Sequence, residues 1–161
     1  MDYGQFIEWN DRYSVGIELI DEQHRELFSQ MNNLYLSCQK EGEEARVLFS
    51  ANIRLLLRYI SYHFSSEEKM LKNIKYPDLA VHSQQHSALT KIIAERIEQF
   101  DRGDPAPLSG GKGLDFIKYL RDILISHVAI LDRKYASYIH FVNRRVRTYI
   151  KDPVFPTKLL G

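Results

Sequence analysis

The chain has 161 residues, of which 44% are hydrophobic and 27% are charged, and its formal net charge is +1. These values are typical of a single globular domain with a substantial core, and the near-neutral charge argues against nucleic-acid binding. There is no apolar run of transmembrane length, and Met1–Asn10 lacks the layout of a signal peptide, so a membrane partner is not expected. A single cysteine, Cys38, cannot form an internal disulfide, which favours a reducing compartment, the cytoplasm.

The N-terminal part predicts an arm followed by a helix. Residues 1–16 form the predicted arm, whose apolar side chains should pack across the protein rather than remain in water; they are Phe6, Ile7 and Trp9. From Ile17 to Lys40, apolar residues recur three and four positions apart, which predicts a first amphipathic helix.

Three further helical segments follow. The second is predicted at residues 44–73, with Leu48 on its buried side, and Pro77 ends it because the residue before proline disfavours helical geometry. Asp78 is the expected N-cap of the third, residues 78–101. Residues 102–113 hold four of the eight glycines and two prolines, which indicates a flexible connection, and a fourth helix begins near Leu114.

Five of the six histidines and two carboxylates form a pattern across these four helices. They are His24 in the first, His63 and Glu67 in the second, His82 and His86 in the third, and His127 and Asp132 in the fourth. Residues four apart lie about 40° apart on one helix face. Imidazole suits iron, zinc, copper and nickel, and carboxylates can bridge two ions. Seven ligands exceed the capacity of one ion, so the pattern predicts a dinuclear site inside a four-helix bundle.

The alternative for each histidine is an ordinary packing role. A lone buried histidine such as His24 is more often a core residue than a ligand, but burying all seven groups without partners would cost on the order of several kcal/mol each. A metal centre would satisfy them together. His140, which has no ligand-spaced companion, is interpreted as a surface or packing residue. Glu68 lies about 100° from Glu67 on a helix and is interpreted as an outward charge.

The spacing between His127 and Asp132 is unusual. Five residues correspond to about 140° on an ideal helix, so the two side chains cannot share a face without help. We expect either a long side-chain reach or a π-type bulge between them, a distortion that is frequent at functional sites.

Several segments resemble bacterial hemerythrins. They are WNDRYSVGIELIDEQH at residues 9–24, HFSSEEKM at residues 63–70, Tyr76-Pro77, the pair His82 and His86, and His127 followed by Asp132. The resemblance spans about residues 6–135, although Leu89 stands where the family usually has phenylalanine. It implies an up-down-up-down four-helix bundle, of which myohemerythrin is an example. The whole chain is then one domain, with the arm at 1–16, the core at 17–132 and a helical extension at 133–161.

The resemblance also implies a non-haem di-iron centre with an oxo or hydroxo bridge. One iron would bind His82, His86 and His127, the other would bind His24 and His63, and the carboxylates of Glu67 and Asp132 would bridge them. Two octahedral irons would then keep one open position, on the iron with two histidines. The implied function is reversible dioxygen binding, for storage, delivery or sensing. Candidate pocket-lining residues, for which ordinary core packing is the alternative, are Leu27, Leu124 and Val128.

Two other functions stay open. A di-iron oxidase or peroxidase of the ferritin-like kind would use Glu-x-x-His pairs and a carboxylate-rich site, and the sequence has no such pair. Histidine-rich ligation therefore favours a binding protein over an enzyme. The second alternative is an oxygen- or iron-responsive signalling module that acts through a partner.

The extension continues a helical apolar stripe. Residues 133–151 carry six arginines and lysines and no acidic residue, and Pro153 and Pro156 end any helix there. An apolar face of this length should be covered. It can fold back on the bundle, form a homo-oligomer or protein-partner surface, or lie on a membrane as a basic helix.

Overall fold

The computed structural model describes residues 6–103 and 112–142, and this part of the chain is helical throughout its regular structure. A short 3-10 helix, Asp11–Tyr13, is followed by α1 (Glu18–Ser37), α2 (Gly42–Asn73), α3 (Leu79–Asp101), α4 (Lys112–Ser126), a π-helical segment (His127–Asp132) and α5 (Arg133–Val142). The π-helical segment and α5 continue α4 without a break, so the three form one rod. The predicted all-α four-helix bundle is confirmed.

The helices begin and end near the predicted positions. α1 ends at Ser37 rather than Lys40, and α2 begins two residues earlier than predicted. Asp78 precedes α3 as the N-cap, but its side chain makes no capping hydrogen bond, so that detail of the prediction is wrong. Residues 104–111 of the predicted connection lie outside the described residues.

The main core lies between α1, α2, α3 and α4. α1 packs against α2 and α4, and α2 also packs against α3. Fully buried side chains of this core include Met31, Leu34, Phe49, Ile53, Leu56, Ile60, Ile93, Ile117 and Leu120. Leu48, predicted to face inward, is 37% exposed, whereas Phe49 is fully buried. Counting back from His63 in steps of three and four gives 60, 56, 53 and 49, so the buried stripe of α2 includes Phe49 and excludes its neighbour.

The N-terminal arm packs along α1. The backbone N–H of Ile7 donates to Asn32 Oδ1 at 3.0 Å, and Asn32 Nδ2 donates back to the Ile7 carbonyl at 2.9 Å. The ring of Phe6 stacks on Tyr35 with centroids 4.3 Å apart. Two hydrogen bonds and a ring stack therefore hold the arm to one helix, as its apolar side chains predicted.

The turn from the arm into α1 is fixed by a buried carboxylate. Asp21 accepts from the Val15 N–H at 2.7 Å and from the Ser14 hydroxyl at 2.5 Å. Gly16 in this turn has φ of 73°, a left-handed conformation that glycine adopts without strain. This turn sets where α1 begins and therefore where His24 lies.

The start of the C-terminal extension belongs to the fold. Tyr135 is fully buried and Ala136 is 8% exposed, in a second apolar cluster with Ile20, Leu71 and Tyr76. Residues 143–161 of the predicted extension lie outside the described residues. Within residues 6–103 and 112–142, no helix has both the length and the apolar character that a membrane span requires.

Candidate metal centre

The seven predicted ligands lie together in the interior of the bundle. Each is at most 5% exposed. Their nitrogen and oxygen atoms form two groups in which all ligand atoms lie within 4.8 Å of one another: Glu67, His82, His86 and His127 in one, and His24, His63, Glu67 and Asp132 in the other. Because Glu67 is a member of both groups, the two are joined at a carboxylate.

The first group contains three histidines arranged around one oxygen of Glu67. Glu67 Oε2 lies 3.0 Å from His82 Nε2 and 3.1 Å from His86 Nε2. His86 Nε2 also lies 3.0 Å from His127 Nε2. We refer to this group as the three-histidine position.

The second group contains two histidines, and its Asp132 faces both groups. Asp132 Oδ2 lies 3.2 Å from His24 Nε2, while Asp132 Oδ1 lies 3.1 Å from His127 Nε2 and 3.5 Å from His82 Nε2. Thus each oxygen of this carboxylate is directed to a different set of histidines. We refer to the group with His24 and His63 as the two-histidine position.

The hydrogen bonding of these atoms fits bound cations. In the described part of the chain, five buried nitrogen and oxygen atoms of the candidate ligand residues have no hydrogen-bond partner: His24 Nδ1, His24 Nε2, His63 Nε2, Asp132 Oδ1 and Asp132 Oδ2. The contacts of Asp132 Oδ2 with His24 Nε2 and of Asp132 Oδ1 with His127 Nε2 are short but lack hydrogen-bond geometry. Leaving a buried polar atom unsatisfied costs about 1–3 kcal/mol, and native interiors rarely do so.

His86 gives a second, independent argument for a cation. Its Nδ1 lies 2.7 Å from Glu68 Oε1, and its Nε2 lies 3.1 Å from Glu67 Oε2. A neutral imidazole has only one N–H, so it cannot donate to both carboxylates. A second proton on the ring or a metal ion between Nε2 and Glu67 removes this conflict, and with a metal ion both atoms act as electron-pair donors. Imidazole and carboxylate donors suit a first-row transition metal.

The π-type distortion predicted between His127 and Asp132 is confirmed. The π-helical segment spans the six residues His127–Asp132, and both end residues are buried. A π turn has a wider period than an α turn, so residues five apart return to the same face. This segment brings Asp132 onto the face of His127, while Ile130 between them is 56% exposed.

The π segment leads to a prediction about deletions. Removing Ile130 leaves the two ligands four apart, which an ordinary α-helix places on one face, so metal binding should be retained. Removing the exposed Ser65, between His63 and Glu67, should abolish it, because the part of α2 that follows is then rotated by about 100° about the helix axis, which turns Glu67 away from the centre. Metal content of the two purified deletion variants checks this. Loss of metal in the Ile130 deletion would contradict it.

Three residues outside the ligand set hold ligands by hydrogen bonds. His63 Nδ1 donates to Gln23 Oε1 at 2.9 Å, and the Tyr135 hydroxyl donates to Glu67 Oε1. Glu68, interpreted from sequence as an outward charge, accepts from His86 Nδ1, so that interpretation was wrong. It failed because α3 packs beside α2, and a side chain 100° away from Glu67 still meets α3.

Burial and the neighbouring carboxylates control the protonation of the metal-free histidines. Burial lowers the pKa of His63 to about 3, despite the opposing charge of Glu67. For His127, burial lowers the pKa, but the negative charge of Asp132, whose Oδ1 lies 3.1 Å from His127 Nε2, outweighs it, so the pKa is raised. His63 is therefore a neutral donor, whereas His127 pairs with a carboxylate.

The two carboxylates stay ionised although they are buried. Burial raises the pKa of Glu67, but the close contacts of its Oε2 with the imidazoles of His82 and His86 outweigh it, and the pKa lies well below its ordinary value. Burial and the charge of Glu67 raise the pKa of Asp132, but the charge of the nearby His127 more than compensates, so this pKa is also lowered. An ionised carboxylate is the form that bridges metal ions.

Apolar and aromatic side chains surround the centre. Phe64 stacks on His86 with ring centroids 3.7 Å apart and an interplanar angle of 5°. The sequence pattern alone does not mark Phe64 as a site residue, although it lies in a segment that carries the family resemblance. The predicted pocket-lining residues Leu27, Leu124 and Val128 are each 1% exposed and belong to the main core. Their role as pocket walls stays a prediction.

Fold and site together define a four-helix bundle with a buried histidine–carboxylate cluster suited to metal. A family model described as the hemerythrin HHE cation binding domain matches residues 15–139. The chain therefore belongs to the hemerythrin family, as the sequence motifs indicated.

Individual relatives agree with this assignment. The chain is 29% identical over 96 residues to a bacteriohemerythrin of Stenotrophomonas maltophilia, a match that covers 60% of this chain and 61% of that protein. It is 28% identical over 127 residues to a myohemerythrin of Sipunculus nudus, covering 79% and 88% respectively. A crystal structure of wild-type hemerythrin superposes with a TM-score of 0.73 at 23% identity, covering 82% of this chain and 96% of that one, which supports the shared fold.

Proposed function

We propose that this protein binds dioxygen reversibly at a non-haem di-iron centre. The observation that carries the proposal is the pair of overlapping ligand groups, with three histidines in one, two in the other, and carboxylates that face both. Membership of the hemerythrin family supports iron as the metal and dioxygen as the ligand. The iron ions would supply the electrons and the open coordination position that dioxygen needs.

The proposed roles of the residues follow from their positions. His82, His86 and His127 would hold one iron, and His24 and His63 would hold the other. Glu67 and Asp132, which face both groups, would be shared between the two ions. With an oxo or hydroxo bridge, the two-histidine position, which has one histidine fewer, would be the place for dioxygen. The apolar side chains of Leu27, Leu124 and Val128 exclude water from this part of the core, which limits proton access to bound oxygen.

A binding role is favoured over an enzymatic one. The candidate ligands are five imidazoles and two carboxylates, whereas ferritin-like oxygen-activating sites are rich in carboxylates. A sensing role would need the same centre with an output to a partner. A homo-oligomer or partner surface in residues 133–151 and a cytoplasmic location both stay predictions.

Oxygenation of the iron-loaded protein tests the proposal. Protein loaded with ferrous iron in the absence of air should develop oxo-bridged charge-transfer bands on exposure to oxygen and lose them when oxygen is removed. Stopped-flow measurement of oxygen dissociation, compared with the rate of irreversible oxidation, separates a carrier from an oxidase. Steady turnover of an added reductant with peroxide would contradict the proposal and support the enzymatic alternative.

A further inference from the structure

We propose that Glu68 and Gln23 are positioning residues that make the two metal positions unequal. The Glu68 carboxylate strengthens His86 as a ligand at the three-histidine position. The neutral Gln23 amide only orients His63 at the two-histidine position. The inference rests on the proposed dinuclear centre and adds to it which ion is held more tightly.

The two residues make the same kind of contact, one at each metal position. His86 Nδ1 donates to Glu68 Oε1 at 2.7 Å, and His63 Nδ1 donates to Gln23 Oε1 at 2.9 Å. In both rings the proton is held at Nδ1, so the lone pair of Nε2 is directed at the centre. Such partners fix the tautomer and the ring orientation of metal-binding histidines.

The two contacts differ in charge. A hydrogen bond to a carboxylate is shorter and roughly twice as strong as one between neutral groups. It draws the Nδ1 proton away from the ring and makes Nε2 a better electron-pair donor. A better donor stabilises the more highly charged state of a bound metal. The three-histidine position should therefore bind its ion more tightly and be harder to reduce.

The exposure of Glu68 restricts how it can act. Its side chain is 36% exposed, so water and salt screen its field at a distance. His86 is almost fully buried, and the hydrogen bond joins the two directly. The charge of Glu68 therefore acts on the centre through its hydrogen bond with His86. Gln23 is 3% exposed and brings no charge to the opposite side.

A purely structural role for Glu68 would be to hold α2 against α3 through its hydrogen bond with His86. Glutamine at position 68 keeps an acceptor oxygen and hence this hydrogen bond, but it removes the charge. The substitution Glu68→Gln therefore separates the two roles. Gln23→Glu is the reciprocal change, since it adds a carboxylate beside His63. Glu44→Gln is a matched control: the residue is 65% exposed and lies about 36 Å further along α2.

The experiment measures anaerobic Fe²⁺ binding by competition with a chelator and the midpoint potential of the loaded protein. In Glu68→Gln, the affinity for the more tightly bound ion should fall by about 10- to 100-fold, and the midpoint potential should move to more positive values. Gln23→Glu should raise the affinity for the more weakly bound ion and move the midpoint potential to more negative values. Glu44→Gln should match the wild type in both measurements. Thermal unfolding of the metal-free proteins shows whether the substitution weakens the contact between α2 and α3.

The outcomes separate this inference from the proposed function. If Glu68→Gln has the wild-type affinity for iron and the wild-type midpoint potential, the inference is overturned, and Glu68 serves only to hold α2 against α3. If the wild type binds two ions but takes up no dioxygen, the proposed function fails, while the comparison of variants still decides the inference. A wild type that binds only one Fe²⁺ overturns the inference and the dinuclear assignment together.

Discussion

Replacement of Glu67 by alanine is expected to reduce the bound iron from two ions to fewer than one per chain. Glu67 is the carboxylate common to both ligand groups, so its loss removes a ligand from each ion at once. The affinity should fall by more than the roughly 10- to 100-fold that outer hydrogen-bond partners typically contribute. Elemental analysis of protein loaded anaerobically with Fe²⁺ measures the effect.

Two further variants make this result interpretable. Alanine also leaves the buried Tyr135 hydroxyl without its acceptor, which costs about 1–3 kcal/mol in stability. Glu67→Gln keeps an acceptor there and should still lose iron, because an amide is a poor bridge. Glu95→Ala, at a 56% exposed position of α3, is the control and should retain both ions. A Glu67→Ala protein that keeps two irons would contradict the bridging role.

The metal-free protein is expected to be most stable near pH 6.5. On the acid side, the pKa of His63 is about 3 in the folded protein and 6.5 when unperturbed. Between these values the unfolded chain binds the proton and the folded protein does not. Stability therefore falls on acidification by up to about 1.4 kcal/mol per pH unit. Glu67 and Asp132, whose pKa values are lowered, extend the loss when the pH falls below the ordinary carboxyl range.

On the alkaline side, His127 has the opposite effect. Its pKa is raised above 6.5 by Asp132, so its contribution is fully present below pH 6.5 and is lost as the pH rises through the folded value. Chemical denaturation of the metal-free protein at a series of pH values measures how its free energy of unfolding falls on both sides of pH 6.5. His63→Leu should reduce the loss of stability on acidification, and His140→Gln, at an exposed position, should leave that loss unchanged. An unchanged loss of stability on acidification in His63→Leu would contradict the assignment.

The convergence of the ligands could be predicted because helical spacing encodes it. His63 with Glu67, and His82 with His86, are four apart, and this spacing alone places each pair on one face. The five-residue spacing of His127 and Asp132 predicted a distortion, and the structure contains one. In each case the residues lie in a single helix, where their spacing determines the geometry.

The contacts between helices could not be predicted in this way. Glu68 reaches His86 because α3 lies beside that face of α2, and nothing in the periodicity of α2 specifies which neighbour lies there. The contacts of Gln23 with His63 and of Tyr135 with Glu67 likewise join different helices. Leu48 was wrongly predicted to be buried because three adjacent residues, 47–49, are apolar and allow more than one helical stripe. Only the buried face that continues from His63 selects Phe49.

The di-iron assignment is tested most directly by a crystal structure of the iron-loaded protein, with anomalous diffraction measured at the iron absorption edge. We expect two iron peaks per chain, one among His82, His86 and His127 and the other beside His24 and His63. The carboxylates of Glu67 and Asp132 should contact both peaks. A single peak, or two peaks that share no carboxylate, would contradict the dinuclear centre.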